Sequence, residues 1–295
     1  MWSATRSVRR VVGEVIACAN QKGGVGKTTT VVSLAAYLAM DGRRVLIVDM
    51  DPQGNATSGV GIDRDRLDAS VYDVLLTDVE ASAAIVPTSV ENLSLLPSDR
   101  SLAGAEVELV PVPGRERRLK HELSSLSDDF DFILLDCPPS LGLLTVNSLT
   151  AAQSVLIPLQ CEYYALEGLG QLMATIELVR DHLNPSLALK GVILTMHDGR
   201  TSLASDVTAE VRRHLGSQVF EAVVPRSVRL AEAPGYGRPI GVYSPSSRGA
   251  QAYQAVAHEL LMRSGCQPGT SLRDAMVRYL GPRTDHDMEG ADDGA

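Results

Sequence analysis

Apolar runs that end in turn signals and give way to helical patterns constrain this chain more than any other feature. EVIACAN (14–20), RRVLIVDMD (43–51), DFDFILLDCPP (129–139), SVLIPLQ (154–160), LALKGVILTM (187–196) and QVFEAVVP (218–225) are apolar almost throughout, with little alternation. Strands of that kind are covered on both faces, as in parallel sheets. Helical spacing fills the gaps at 28–40, 141–152, 164–183, 202–215 and 247–263. The predicted fold is α/β: one domain over 14–264, with a mostly parallel twisted sheet flanked by helices on both faces. The stretch 55–127 is less regular and is predicted to hold short helices and an edge strand. Residues 1–13 read as a flexible basic leader. Residues 265–295 read as a C-terminal extension, with a short helix over 271–280 and then a disordered acidic tail.

The chain has 295 residues and 44% hydrophobic content, enough for a sizeable core. Its net charge of -9 excludes a surface that is basic all over, though not a local basic patch. The cysteines, Cys18, Cys137, Cys161 and Cys266, form no CxxC pair and read as buried free thiols. No apolar run approaches the length of a membrane span, and the N-terminus lacks the apolar region of a secretory signal, so a cytoplasmic protein is expected.

The segment NQKGGVGKTTT (20–30) joins the first strand to the first helix. That junction is where an α/β sheet binds phosphate, because backbone N–H groups and a helix N-terminus face the anion there. Gly23, Gly24 and Gly26 let the backbone curl, Lys27 can neutralise phosphate charge, and Thr28 offers a hydroxyl to Mg²⁺. VDMDPQGN (48–55) puts Asp49 and Asp51 at a strand's carboxyl end, where α/β sheets place their binding sites. Asp49 is a candidate for the Mg²⁺ shell and Asp51 for orienting an attacking water. Alone, the pair would equally fit a strand-end turn. ILLDCPPS (133–140) reads as a Walker B strand, with Asp136 bonding a Mg²⁺-bound water or capping the next helix.

The ordinary P-loop pattern fails at Gln21, and K-G-G-V-G-K-T-T stands in its place. This resembles the deviant Walker A motif of the ParA/MinD class of P-loop ATPases. DPQGN (51–55), LQCEYYALEGLG (159–170) and VPRSVRLAEAPGYGRPI (224–240) are similar to the chromosomal ParA proteins of the Soj type, and the similarity spans about 14–263. The resemblance implies that ATP or ADP with Mg²⁺ binds through Gly23, Gly24, Val25, Gly26, Lys27, Thr28 and Thr29. It implies that Met196, Pro225 and Arg226 lie near the adenine. It further implies that Lys22 reaches across an ATP-bound homodimer to the partner's phosphates, and that Lys22, Lys27 and Asp51 serve a slow hydrolysis stimulated by a ParB-type protein. Arg200 and Arg229 match the family's contacts to non-specific double-stranded DNA, implying a nucleoid-associated protein that segregates a chromosome or plasmid. From 196 to 250, seven arginines face five acidic residues, a local net charge of +2.

Other readings stay open at this stage. A MinD-like membrane ATPase is suggested by Leu272, Ala275, Met276, Tyr279 and Leu280 on one helical face with Arg273 and Arg278 beside it, although the acidic tail would oppose anionic lipid. A nitrogenase-reductase-like ATPase would need a second cysteine to join Cys137 at a cluster. A scaffold that binds ATP without turnover is opposed by Asp51.

Overall fold

The computed structural model describes residues 13–162 and 165–280. Nearly all of the expected leader and the acidic tail lie outside the described residues. Seven strands form one sheet: β1 (Glu14–Cys18), β2 (Val45–Asp49), β3 (Val86–Pro87), β4 (Leu93–Leu96), β5 (Phe132–Asp136), β6 (Ser154–Gln160) and β7 (Ala188–Thr195). Their order is β3-β4-β2-β5-β1-β6-β7, with every pairing parallel except β3 with β4 at the edge.

Successive residues of a strand point to opposite faces, and this chain buries both. Ile16, Ile47, Phe132, Leu134 and Ile193 pack against α1 (Lys27–Met40) on one face. Val15, Val48, Ile133, Leu135 and Val192 face the other side. That side also takes in α3 (Val71–Leu76), α4 (Ala81–Ala84), α5 (Leu102–Glu108) and α6 (Arg118–Ser124) from the irregular stretch, whereas α2 (Asn55–Gly59), just after β2, packs through Ala56 on the α1 face. The same layer continues through α7 (Leu143–Ala151), α8 (Ala165–His182) and α9 (Ser202–Leu215). The α1 face is completed by α10 (Val228–Glu232), α11 (Ile240–Tyr243), α12 (Arg248–Arg263) and α13 (Thr270–Leu280). All four cysteines are buried and free.

The expected strand at 218–225 is not regular. Phe220 N–H donates to Val192 O (2.9 Å) and Val224 N–H to Leu194 O (2.8 Å), so the segment runs beside β7. Between them, the N–H groups of Glu221 and Ala222 turn away to the Glu259 carboxylate (2.9 and 3.4 Å). The ladder is reduced to isolated bridges at Val219 and Pro225. A side-chain acceptor on α12 thus takes two neighbouring N–H groups, of which an edge strand would turn only one toward β7.

The amphipathic face of α13 is committed to the core. Leu272 and Ala275 are buried, and Met276 and Tyr279 pack against the cluster under α12. The Tyr279 hydroxyl donates to Val223 O (2.6 Å) and accepts from Val223 N–H (3.0 Å), tying the helix to the irregular edge segment. Removing it leaves a carbonyl and an N–H without their partner, worth about 1–2 kcal/mol. Tyr279→Phe is expected to lower the urea midpoint of unfolding accordingly while leaving nucleotide affinity intact. An unchanged midpoint would show that α13 does not depend on this anchor.

Candidate active site

The site forms where β1 ends. Beyond Cys18, the Asn20 side chain donates to Pro158 O (2.7 Å) and accepts from Lys22 N–H (3.0 Å), pinning the start of the loop to β6. Thr195 Oγ1 donates to Val25 O (2.8 Å), pinning its middle to β7. Between these anchors, Gly24 and Gly26 adopt φ of 76° and 92°, a region that L side chains avoid. Gly26 is the N-cap of α1 and makes no side-chain cap, so the first N–H groups of the helix are left for an anion. Lys27 is buried, with its ammonium donating to Lys22 O (3.2 Å). That carbonyl is a weak substitute for a phosphate.

The register of the sheet brings both acidic strand ends to this loop. Cys18 pairs with Asp136, and Asp136 pairs with Asp49. Asp49 is fully buried. One oxygen accepts from Thr57 Oγ1 (2.7 Å) and Thr57 N–H (2.8 Å), and the other from Asp51 N–H (3.2 Å). Burial pushes its carboxyl above the usual range, against these hydrogen bonds. Asp136 differs: both of its oxygens are buried without a well-formed hydrogen bond among the described residues, and the nearby Thr28 hydroxyl offsets its burial only weakly. Burial, then the neighbouring Asp49, push its carboxyl well up. A buried carboxylate lacking partners is costly, and a hydrated cation is the partner that would suit it. Thr28, half-buried on the first turn of α1, supplies the hydroxyl that such an ion needs.

Asp51 stands over the cleft, its Oδ1 accepting from Gln53 N–H (2.9 Å). The cleft is about 360 Å³, with Gly23, Gly24, Gly26, Lys27, Thr28 and Asp51 in its wall. A second cavity of about 270 Å³ adjoins it, lined by Pro225 and Arg226 among others. Gly26, Thr29 and Met196 border both. Met196 is held at φ 49°, a strained backbone state for a side-chain-bearing residue.

Some expected residues lie off the cleft. Val25 is buried, and its carbonyl is taken by Thr195 Oγ1. The Lys22 ammonium is turned to Glu162 (2.6 Å), both side chains 44% exposed. Arg200 is paired with Asp198 (2.7 Å) and Arg229 with Glu232 (2.8 Å). Arg200 holds the Asp198 carboxyl well below its ordinary range. The segments carrying them meet where His197 pairs with Pro225, which brings both arginines to one end of the sheet. Cys137 is fully buried, and burial pushes its thiol up to about 12, so it offers nothing to a bridging cluster.

Several wall residues escaped the sequence reading. Gln53, Asn55 and Pro139 follow the strand-end aspartates directly, so the rule that sites form at strand carboxyl ends could have found them. Thr195, Leu230, Pro234 and Tyr253 arrive from distant segments and carry no local signal.

Residues 13–189 match a family model described as an AAA domain. The sporulation initiation inhibitor protein Soj of Bacillus subtilis is 55% identical over 249 residues, 84% of this chain and 98% of that protein. The chromosome partitioning protein ParA of Myxococcus xanthus is 53% identical, over 85% of this chain and 89% of that protein. The chromosome-partitioning ATPase Soj of Thermus thermophilus is 51% identical, over 84% and 95%. Among solved structures, one described as cobyrinic acid a,c-diamide synthase from Mycobacterium smegmatis, with bound ATP analogue and magnesium, superposes with a TM-score of 0.76. It is 45% identical and covers 88% of this chain and 100% of that one. The Pyrococcus horikoshii septum site-determining protein MinD, complexed with Mg-ADP, gives a TM-score of 0.69 at 28% identity, covering 86% and 98%. With its phosphate loop and strand-end aspartates in place, and such identity running through nearly the full length of the curated relatives, this chain belongs to the ParA/Soj family of chromosome-partitioning ATPases.

Proposed function

We propose that this ATPase dimerises on ATP, holds double-stranded DNA without sequence preference and lets go on hydrolysis, so segregating a chromosome or plasmid. The observation that carries the reading is the pair of lysines. Lys27 is buried at the phosphate position, whereas the Lys22 ammonium sits on the exposed rim of the same loop, paired among the described residues with Glu162. One lysine serves its own site and the other is free to serve a neighbouring copy. An ion pair this exposed is worth less than about 1 kcal/mol, so a partner's triphosphate can draw Lys22 away.

In this reading the N–H groups of 23–29 and the Lys27 ammonium bind the β and γ phosphates. Met196, Pro225 and Arg226 border the nucleoside. Mg²⁺, when bound, neutralises charge on the phosphates. Thr28 and Asp136 would hold the ion, Asp136 through a coordinated water. Asp49 is an organiser, because both of its oxygens are already engaged by Thr57 and Asp51. Asp51 orients the attacking water. Without a second base, turnover is slow until a ParB-type protein stimulates it. Arg200 and Arg229 contact DNA phosphates, giving weak, salt-sensitive affinity that dimerisation doubles into avidity. The protein would then be cytoplasmic and nucleoid-associated.

Two other readings are disfavoured by packing and burial. A MinD-like membrane helix would need the apolar face of α13, and that face packs on α12. Amide synthesis that draws its nitrogen from glutamine, suggested by the name of the M. smegmatis neighbour, would have no cysteine nucleophile here: all four thiols are buried, and burial raises each one above its ordinary range.

Asp51→Ala is expected to cut ATP turnover by about two orders of magnitude, to retain ATP binding and to accumulate a dimer seen by sedimentation with ATP-Mg²⁺. Normal turnover would remove Asp51 from the chemistry, and a monomer under those conditions would remove ATP as the dimer's cement. Arg229→Glu is expected to weaken duplex binding equally across sequences and to lower the salt slope by about 1–2 per subunit, with dimerisation spared. Retained affinity would place the DNA face elsewhere.

A further inference from the structure

Arg64 has no assigned role, yet its side chain reaches the back of the loop that carries Asp51. It follows Asp63 in a short 3₁₀ turn (Arg64–Arg66) and is half-buried. Its guanidinium donates from Nη2 to Pro52 O (2.8 Å), from Nη1 to Gln53 O, and from Nε to Ser98 O (3.3 Å). Three carbonyls from two loops thus converge on one planar fork. A Cβ built on Gly54 would lie 2.3 Å from Arg64 Nε, so the guanidinium occupies the space a side chain at 54 would need.

The remaining groups of this loop are also fixed. Asp51 O accepts from Ser98 Oγ (2.8 Å) and from Gly54 N–H (2.8 Å). Ser98 N–H donates to Thr57 Oγ1 (3.0 Å), the hydroxyl that holds Asp49. Gln53 N–H in turn holds Asp51 Oδ1. Arg64 therefore holds the 52–53 and 53–54 peptide units, and the first of these carries the N–H that fixes the Asp51 carboxylate.

We infer that Arg64 is a positioning residue for ATP hydrolysis, fixing the 52–53 peptides so that the Asp51 carboxylate keeps one orientation over the nucleotide. The inference rests on the reading of Asp51 as the water-orienting group. A guanidinium suits the task because its donors are fixed in one plane, whereas a lysine ammonium is a point charge that cannot bridge three diverging carbonyls. Positioning errors of about 1 Å are known to cost up to about a hundredfold in rate, and Arg64 is not part of the wall of the phosphate cleft. The signature of its loss is therefore a fall in kcat with nucleotide affinity preserved.

The test compares Arg64→Ala, Arg64→Lys and Asp51→Ala with the unaltered chain, measuring single-turnover hydrolysis at saturating ATP-Mg²⁺ alongside ATP affinity. Arg64→Ala is expected to lose about tenfold or more in rate with affinity within about twofold, and added guanidinium ion in the low millimolar range is expected to restore part of the rate. Arg64→Lys is expected to be slow as well, and it carries the test should the alanine variant fail to fold. Three results would overturn the proposal: a wild-type rate in either folded variant, a parallel loss of affinity and rate, or a slow Arg64→Ala that guanidinium does not improve. If Asp51→Ala hydrolyses normally, the reading of Asp51 fails instead. If Asp51→Ala is inactive while Arg64→Ala is normal, that reading stands and only the role of Arg64 falls.

Discussion

Parallel register is what assembles this site. Asp136 at the end of β5 lies directly across from Cys18 on β1 and Asp49 on β2, so the phosphate loop and two aspartates emerge side by side. In a sheet buried on both faces, a one-residue slip would turn every core side chain to the wrong layer. The interleaving of Ile16, Ile47 and Phe132 with Val15, Val48 and Ile133 therefore locks the register, and the site inherits that rigidity. Anchors at Asn20 and Thr195 extend it into the loop itself.

The same scaffold keeps the site tense. Two carboxyls are buried within one register position of each other, and only one of them is satisfied. Asp49 spends its oxygens on Thr57 and Asp51, while Asp136 makes no well-formed hydrogen bond among the described residues and has only the Thr28 hydroxyl nearby to offset its burial. That asymmetry separates an organiser from a cation-facing group. It also gives nucleotide with its metal ion something to relieve on binding. Lys22 shows the opposite design, since its partner Glu162 is on the surface and can be exchanged at little cost.

Much of this was legible in the sequence, for identifiable reasons. The strands that are apolar throughout, such as SVLIPLQ, announced burial on both faces, and β6 spans that run residue for residue. Gly24 and Gly26 of the loop are required by positive φ, so that part of the motif is a statement about backbone geometry. The 218–225 segment defeated the same reasoning, because its apolar run was correct but Glu259, distant in sequence, diverted two of its donors. The apolar face of 271–280 was visible, but whether core or lipid covers it depends on α12, which no local pattern reveals. The engagement of Asp49 by Thr57, and the grip of Arg64 on Pro52 and Gln53, are likewise products of the folded chain.

The central claim is that ATP couples the two lysines of one loop to DNA through a dimer. The most direct measurement is binding to random-sequence duplex DNA at one fixed low salt concentration, without nucleotide, with ADP-Mg²⁺ and with ATP-Mg²⁺, with Lys22→Ala beside the unaltered protein. The account expects tight binding with ATP-Mg²⁺ alone, abolished in Lys22→Ala although that variant still binds ATP. Equal binding in all nucleotide states, or full ATP-dependent binding by Lys22→Ala, would contradict it.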